Sequence, residues 1–353
     1  MKWLYTKIPS KLLISIILVL LLASTLIFFS PKMLAWSIER ENSRTNISST
    51  IQSFQDFPVT VDPKNKTITE NDQVNAFLAD KHSLLGAAVS DATSYLWNLF
   101  EGVAITIADA SWYENTASIA GINNKFVTIT PGMRKEQVAD AFGNMLKWNN
   151  KQRQEFISPM SSFDLSSTSQ PTSLSEGIFT PGLYEISLGM TPKEVRSDVN
   201  DRFLNDVLTH YSTSTQKIVP LNEALTIASL IQRETVSTDG MRLLSGIIWN
   251  RLFVGMDLQI DSTLQYAKAN KPTVTTWWPK VTPNDKYIKS PFNTYIHNGL
   301  PPAPISNPGV EAILAALNPV KTTCLFYFND PTGTFHCSDT YAEHVSLLKK
   351  YYP

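Results

Sequence analysis

The sequence predicts an α+β protein that is attached to a membrane by a single N-terminal helix. Three observations support this fold class. An uncharged apolar run lies near the N-terminus, a strand, a turn and a helix follow one another from Phe126, and amphipathic helices separated by short extended runs follow residue 176. We therefore expect a small α+β module with its connector at residues 126–175 and a larger α+β domain at residues 176–353.

The charge balance limits the classes of ligand. The chain has 353 residues, and its 30 Lys and Arg against 31 Asp and Glu give a formal net charge of −1. A protein of this charge has no general electrostatic attraction for nucleic acids. Its five histidines occur without the H-E-x-x-H or C-x-x-C spacing of common zinc sites. Composition therefore predicts neither a nucleic-acid partner nor a metal centre.

The N-terminal apolar run has the length of a membrane span. Residues 12–30 lie between Lys11 and Lys32 without a charged residue, and about twenty apolar residues in a helix cross a hydrocarbon core of ~30 Å. Three lysines precede the run and one follows it closely, which favours a cytoplasmic location for residues 1–11. A cleaved signal peptide is the alternative, but its apolar region is usually shorter, about 7 to 15 residues. We expect the chain to be extracytoplasmic from about residue 31.

The next segments differ in how much they predict. Residues 31–125 are rich in Ser, Thr, Asn and Asp and predict no particular role. The run FVTIT from Phe126 alternates like a strand, and Pro131-Gly132 then forms a turn before a helix with the sequence MRKEQVADAFGNMLKW. A Ser/Thr-rich connector at residues 161–175 has little apolar surface to bury.

The helix predicted over residues 220–236 carries the strongest candidate for catalysis. Four apolar residues and then Glu234 recur at steps of 3, 1, 3 and 3, so the carboxyl shares the apolar face. Burial there would raise the pKa of the carboxyl and favour its protonated form, as a general acid requires. The alternative is a helix-end Glu that reaches solvent or pairs with Arg233 or Arg242. The four apolar residues are Ala224, Ile227, Ala228 and Ile231.

Further elements follow this helix. A second amphipathic helix should end near Phe253 with Gly255 as its stop, followed by an extended run through Gln259 and Asp261. The turn at residues 307–309 should start a helix with the sequence VEAILAALN, and the chain should end in another helix.

Two cysteines flank a predicted β-hairpin near the C-terminus. An extracytoplasmic location would allow Cys324 and Cys337 to form a disulfide. A hairpin closed by Phe328 and Gly333 would place the cysteines opposite each other, whereas a shift of one residue would put them on different faces. The sequence is therefore compatible with a disulfide and with two buried free thiols.

The motifs of residues 176–353, taken in order, resemble those of the endolytic murein transglycosylases of the YceG-like family, known as MltG. The strand and helix from Phe126 match less closely and resemble the LysM-like domain of that family. The order of six motifs, rather than any one of them, carries the resemblance. The motifs are E-G-x-F-x-P-x-x-Y from Glu176, ASLIQRET, NRLFVGMDLQIDST, SPFNTYIHNGLPP, NPGVEAILAALNP and TYAEH.

The resemblance implies an enzyme anchored in the inner membrane, with its catalytic region outside the cytoplasm. Such an enzyme cleaves the β-1,4 bond between N-acetylmuramic acid and N-acetylglucosamine within a nascent glycan strand, and it uses no cofactor. The resemblance maps the catalytic acid/base onto Glu234. Peptidoglycan strands and the membrane are the implied partners, and cell-wall synthases are further candidates. The residues implied to bind substrate around the cleft are Gln259, Asp261, Asn293, Thr294 and Tyr295.

The sequence departs from the family pattern at three places. The Pro-Asp-Thr-Tyr motif reads PGLY at residues 181–184, and Asp-Pro-Thr reads DST at residues 261–263. Phe335 aligns with a family histidine, and His336 follows one residue later. Because neighbouring residues of a strand face opposite sides, we do not expect His336 to take the place of that histidine. None of these departures involves Glu234.

Two alternative functions stay open. One is a hydrolytic muramidase in which Asp261 or Glu343 acts as a second carboxylate. The other is a non-catalytic peptidoglycan-binding scaffold of the cell-wall synthesis machinery. Binding alone does not require an acid on the apolar face of a helix, so Glu234 favours an enzyme over the scaffold.

Overall fold

The structure, a computed structural model, describes residues 56–76, 78, 124–159 and 175–352, apart from residues 236 and 272. Within these ranges the protein is mixed α+β and mostly helical, with three antiparallel sheets of two strands each. The predicted α+β class is therefore confirmed. No helix in the described part of the chain is long and apolar enough to cross a membrane, and the predicted span at residues 12–30 lies outside that part.

The first described segment is a short hairpin that packs on the C-terminal half of the protein. Strand β1, Val61–Asp62, pairs with β2, Thr67–Ile68. The side-chain amide of Asn318 donates a hydrogen bond to the Pro58 carbonyl at 2.8 Å. Part of the segment 31–125, for which the sequence predicts no role, is therefore a structural component of the fold.

A strand–helix–helix–strand unit follows. The predicted strand and helix on either side of Pro131-Gly132 are present. β4 pairs with β3 along its whole length, so a strand from beyond residue 175 completes the sheet of the module. The expected boundary at residues 175 and 176 therefore does not separate two independent units. The four elements are β3, Asn124–Ile129; α1, Lys135–Met145; α2, Asn150–Ile157; and β4, Gly182–Ser187.

Aromatic side chains form the core of this unit. The ring centroids of Phe142 and Phe156 are 5.4 Å apart, and Phe142 lies 5.8 Å from Tyr184. Phe156 also contacts Phe179, which lies just before β4. The segment that leads into β4 is thus held in the core of the module, beside the helices of the second half.

The second half consists of helices and a C-terminal hairpin. The predicted helices are present, and Gly255 ends α6 with a φ of 68°, a left-handed conformation that favours glycine. The helices are α3, Pro192–Asp206; α4, Thr213–Ile218; α5, Leu221–Glu234; α6, Thr238–Val254; α7, Asp261–Ala269; α8, Val310–Leu317; and α9, Tyr341–Tyr351. The short 3-10 segments are Leu208–His210 and Pro283–Tyr287, and the strands are β5, Phe326–Asn329, and β6, Phe335–Ser338.

Helix α5 is the centre of this half. It packs against α6, α7 and α8, and every residue from Ala224 to Ile231 is buried. The buried polar side chains are satisfied internally, since the Ser229 hydroxyl donates to the Thr226 carbonyl at 2.7 Å and accepts from the Ile305 N–H at 3.0 Å. The predicted apolar stripe is therefore present, but the rest of the helix surface is buried as well.

The C-terminal hairpin contains the disulfide that the sequence left open. Cys324 and Cys337 are bonded, and their Cα atoms are 5.8 Å apart. In the observed register Cys337 lies opposite Tyr327, so the predicted closure by Phe328 and Gly333 is wrong. The bridge forms in this register because Cys324 precedes the strand and still lies within the usual Cα separation of a disulfide.

Candidate active site

Glu234 is the last residue of α5, and two other segments meet it there. The Ser262 N–H, in the first turn of α7, lies 3.4 Å from Oε1 of Glu234. The Tyr327 hydroxyl, on β5, lies 3.5 Å from Oε2. The two carboxyl oxygens therefore face partners from different parts of the chain.

The surroundings of Glu234 favour its protonated form. Burial raises the pKa of the Glu234 carboxyl above its ordinary value, and the negative charge of Asp261 acts in the same direction. The contacts from Ser262 and the charge of Arg233 oppose this rise and are weaker than it. A carboxyl that holds its proton at higher pH than usual is suited to protonate a leaving group.

The arginines that the sequence offers as partners for Glu234 are engaged elsewhere. The Arg233 guanidinium lies 3.9 Å from the ring centroid of Trp278. Arg242 donates hydrogen bonds to the Asn318 carbonyl at 2.9 Å and to the Asn75 side chain at 2.6 Å. Glu234 is therefore not held in an ion pair with Arg233 or Arg242, the alternative that the sequence left open.

Asp261 lies beside Glu234 at the start of α7. Its exposed carboxylate accepts a hydrogen bond from the Tyr295 hydroxyl at 2.7 Å. Burial raises the pKa of Tyr295, and the bond to Asp261 adds to this effect. The sequence predicted an extended run through Asp261, which is wrong, because Asp261 is the first residue of a helix. Its negative charge is thus placed where a helix N-terminus stabilises it.

Gln259 presents an exposed side chain from a strained backbone. Its φ is 49°, a left-handed conformation that costs a non-glycine residue on the order of 1–3 kcal/mol. The Gln259 N–H donates to the Thr294 carbonyl at 3.0 Å, and the next N–H, that of Ile260, donates to the Thr294 hydroxyl at 3.0 Å. These contacts hold the backbone in this conformation.

Asn293 and Thr294 are only 0% and 1% exposed, respectively. The Asn293 amide donates to two backbone carbonyls at 3.0 and 2.8 Å, and its oxygen accepts from the Tyr295 N–H at 2.9 Å. The Thr294 hydroxyl accepts from the Ile260 N–H at 3.0 Å and lies 3.0 Å from the Thr263 hydroxyl, while the Thr294 carbonyl accepts from the Gln259 N–H. Direct contacts from Asn293 and Thr294 to a ligand, which we expected, are therefore not supported. Both residues position Gln259 and Tyr295 instead.

The other carboxylate and histidine named from the sequence lie elsewhere. Glu343 is exposed in the first turn of α9, where its N–H is capped by the Thr340 hydroxyl at 3.2 Å. His336 contacts the Asp330 carboxylate at 2.9 Å within the hairpin. The site thus brings together Glu234 and Asp261, whose negative charge acts on the Glu234 carboxyl.

Sequence reasoning missed Tyr327. Phe326 and Phe328, on either side of it, contact His344 of α9, whereas Tyr327 stacks on Phe335. Alternation of side chains along a strand indicates that Tyr327 faces the opposite side from its neighbours. Sequence alone does not show that this side faces Glu234, because that depends on where the hairpin packs.

Together these features define a class of site. One acid with a raised pKa, at the end of α5, contacts α7 and β5, and the exposed carboxylate of Asp261, bonded to the Tyr295 hydroxyl, lies beside it. Such an arrangement is suited to general acid and base chemistry on a polar ligand.

Comparisons with known proteins identify the family. The model of the YceG-like family matches residues 107–350. The chain belongs to the YceG-like family, which confirms the resemblance seen in the sequence.

Two curated relatives carry the same name. An endolytic murein transglycosylase of Bacillus subtilis strain 168 is 25% identical over 337 residues, which cover 92% of this chain and 89% of that protein. An endolytic murein transglycosylase of Streptococcus pneumoniae strain R6 is 30% identical over 170 residues. That match covers 48% of this chain and 31% of the pneumococcal protein, so this chain matches less than a third of that relative.

A solved structure is also similar. The crystal structure of a YceG-like protein from Listeria monocytogenes superposes with a TM-score of 0.53 at 25% identity. The superposition covers 63% of this chain and 75% of the listerial chain.

Proposed function

We propose that this protein is an endolytic peptidoglycan lytic transglycosylase. It cleaves the β-1,4 bond between N-acetylmuramic acid and N-acetylglucosamine within a glycan strand and leaves a 1,6-anhydro end. The observation that carries the proposal is the enclosed, high-pKa carboxyl of Glu234 at the position to which the family motif assigns the acid. The relatives named endolytic murein transglycosylase support the same reaction class.

One carboxyl performs both proton transfers in this reaction. Protonated Glu234 donates to the glycosidic oxygen as the bond from that oxygen to C1 of the muramoyl unit breaks. The resulting carboxylate accepts the proton of the muramoyl C6 hydroxyl, whose oxygen bonds to C1 and closes the anhydro ring. Glu234 therefore ends in the protonated state in which it began, and no water is consumed.

The accessible side chains near Glu234 would orient the sugar. Gln259 and Tyr295 carry neutral polar groups that can hydrogen-bond acetamido and hydroxyl groups, and Asp261 can accept from a hydroxyl. Their contribution is mainly positioning of the reacting bond. Asn293 and Thr294 contribute indirectly, because the Asn293 side chain accepts from the Tyr295 N–H and the Thr294 carbonyl accepts from the Gln259 N–H.

The proposed setting is the outer side of the cytoplasmic membrane. A single span at residues 12–30, with residues 1–11 in the cytoplasm, would place the catalytic half among nascent glycan strands, where cell-wall synthases are candidate partners. The lysines before the span and the disulfide between Cys324 and Cys337 support this orientation, since disulfides persist in oxidising compartments. The unit at residues 124–187 would then act as the LysM-like module.

A hydrolytic muramidase is the second candidate, and the position of Asp261 favours it. Its exposed carboxylate lies close enough to influence Glu234 electrostatically, so it could activate a water or act as the nucleophile. Glu343, the other second carboxylate considered, is exposed in the first turn of α9. A non-catalytic scaffold has no comparable support, because binding does not need a carboxyl with a raised pKa.

The test is digestion of purified peptidoglycan with the full-length protein, followed by identification of the new strand ends by mass spectrometry. Anhydromuramoyl ends from the unmutated protein, and none from Glu234→Gln, are the expected result. Glu343→Gln is the matched control, because it removes an exposed carboxyl outside the site and should cleave normally.

Other outcomes would change the assignment. Reducing ends that disappear in Asp261→Asn would identify a muramidase. The absence of any cleavage on nascent, uncrosslinked strands would favour the scaffold.

A further inference from the structure

The two oxygens of Glu234 face groups with different hydrogen-bonding abilities. The Ser262 N–H near Oε1 can only donate, which favours the acid proton on Oε2, whereas the Ser262 hydroxyl, which also acts on the carboxyl, can donate or accept. The Tyr327 hydroxyl near Oε2 can either donate or accept. Its distance of 3.5 Å is at the outer limit of a direct hydrogen bond, and catalytic hydrogen bonds often shorten when substrate binds.

Tyr327 is held rigidly in this position. Its ring stacks on Phe335 with centroids 5.5 Å apart and an interplanar angle of 8°. The Arg251 side chain, which is buried, donates to the Leu325 carbonyl at 2.6 Å, two residues before Tyr327. The strand is also paired with β6, directly opposite the disulfide-bonded Cys337. These contacts place the hydroxyl beside Oε2.

We propose that Tyr327 is a positioning residue for the acid/base. Its hydroxyl accepts a hydrogen bond from the protonated Oε2 in the acid form and donates one to the same oxygen in the carboxylate form. This inference rests on the proposed function, in which Glu234 is the acid/base. It goes further because it assigns a second residue to the proton-transfer step. Phe335 supplies the ring that fixes Tyr327.

The direction of the effect on Glu234 follows from the strengths of the two contacts. A hydroxyl bonds more strongly to a carboxylate than to a neutral carboxyl, because the first bond is charge-assisted. Tyr327→Phe would therefore destabilise the carboxylate form more than the acid form and raise the pKa of Glu234. The other charged and titratable groups that face the pair are unchanged in this variant. They are Asp261 and Arg233 beside Glu234, and Arg251 and Tyr295 beside Tyr327.

A readout that does not need activity is the titration of Glu234 in the full-length protein. Carbon-13 at the glutamate side-chain carboxyl is followed by NMR against pH, and the Glu234 signal is the one that is absent from Glu234→Gln. In Tyr327→Phe we expect the Glu234 midpoint at higher pH. Turnover on peptidoglycan should fall about tenfold, with the alkaline limb of the pH profile shifted in the same direction.

Two further variants make the test specific. Tyr341→Phe, which removes the hydroxyl of an exposed tyrosine on α9, should change neither midpoint nor turnover. Replacement of Tyr327 by 3-fluorotyrosine keeps the ring and makes its hydroxyl a stronger donor, so the Glu234 midpoint should move to lower pH. This substitution also tests the inference if Tyr327→Phe does not fold.

The inference is overturned if the Glu234 midpoint stays at its original pH in both Tyr327 variants. A purely structural role would lower stability without moving the midpoint. If the unmutated protein cleaves no glycan but the midpoint moves as expected, the proposed function fails and the role of Tyr327 stands.

Discussion

Asn307 provides a sharp test of how the two halves of the protein are joined. The side chain is 0% exposed, and its oxygen accepts from the Gly177 N–H at 2.9 Å and the Phe179 N–H at 3.0 Å. Its amide donates to the Met133 carbonyl at 2.9 Å and to the Glu176 carboxyl at 2.8 Å. One side chain thus joins the turn before α1 and the segment before β4 to the loop before α8.

The cost of Asn307→Ala can be worked out from these contacts. The Met133 carbonyl and the Glu176 carboxyl each keep a hydrogen bond from a backbone N–H. Losing the bond from the Asn307 amide therefore costs little free energy at these two acceptors. The N–H groups of Gly177 and Phe179 lose the acceptor that the side chain provides, and a buried unsatisfied donor costs about 1–3 kcal/mol. We expect a loss of about 4 kcal/mol, a large part of the ~5–15 kcal/mol by which domains are usually stable.

The measurement is urea unfolding of the full-length protein followed by tryptophan fluorescence. Asn298→Ala is the matched control, because that exposed amide donates to the Gly255 carbonyl at 2.7 Å and its loss should cost less than about 0.5 kcal/mol. An Asn307→Ala protein within about 1 kcal/mol of the unmutated protein would refute the reasoning, since buried donors would then have found other partners.

Three further predictions concern stability. Burial raises the pKa of Glu176 from 4.5 to about 8, so the native state binds a proton that the unfolded state releases between these pH values. Stability should therefore fall as pH rises through this window, and Glu176→Gln should flatten the fall when urea midpoints are compared near its two ends. Gly246→Ala should lower stability by about 1–3 kcal/mol in thermal melts, because the added Cβ meets the Val320 carbonyl and this clash outweighs the better helix propensity of alanine. Cys324→Ser with Cys337→Ser should cost about 3 kcal/mol, and the denatured unmutated protein should show no titratable thiol until it is reduced.

Signals within a few residues predicted the helices well. Gly255 marks the end of α6 because the left-handed conformation at a helix C-terminus favours glycine. The predicted register of the C-terminal hairpin was wrong, and the reason also lies within a few residues. The Asp330 carboxylate accepts from the N–H groups of Thr332 and Thr334 at 2.9 and 3.0 Å. Together with the Asp330 N–H, which donates to the Thr334 carbonyl at 2.9 Å, these bonds close the hairpin around residues 331–333, further along the chain than the turn assumed from sequence.

The candidate site was predicted in part. The pattern of α5 and the family motif both select Glu234, and the structure gives this residue the raised pKa that was expected. The polar loop that contains Asn293 and Thr294 was also identified. The sequence does not show which polar side chains form hydrogen bonds with the protein's own carbonyl and N–H groups. The positioning role of Asn293 and Thr294 therefore follows only from the structure.

The enclosure of Glu234 depends on contacts that no local pattern encodes. Arg251 of α6, which is 5% exposed, donates to the Leu325 carbonyl and also to the Leu258 carbonyl. One guanidinium therefore fixes both the strand that carries Tyr327 and the segment that leads to Asp261. Because α6 begins at Thr238, the helix that holds these surroundings in place follows closely after the helix that ends in Glu234. The apolar pattern of α5 identifies Glu234 as the acid. Arg251 and the two segments to which it is hydrogen-bonded form the surroundings that favour the protonated form of Glu234.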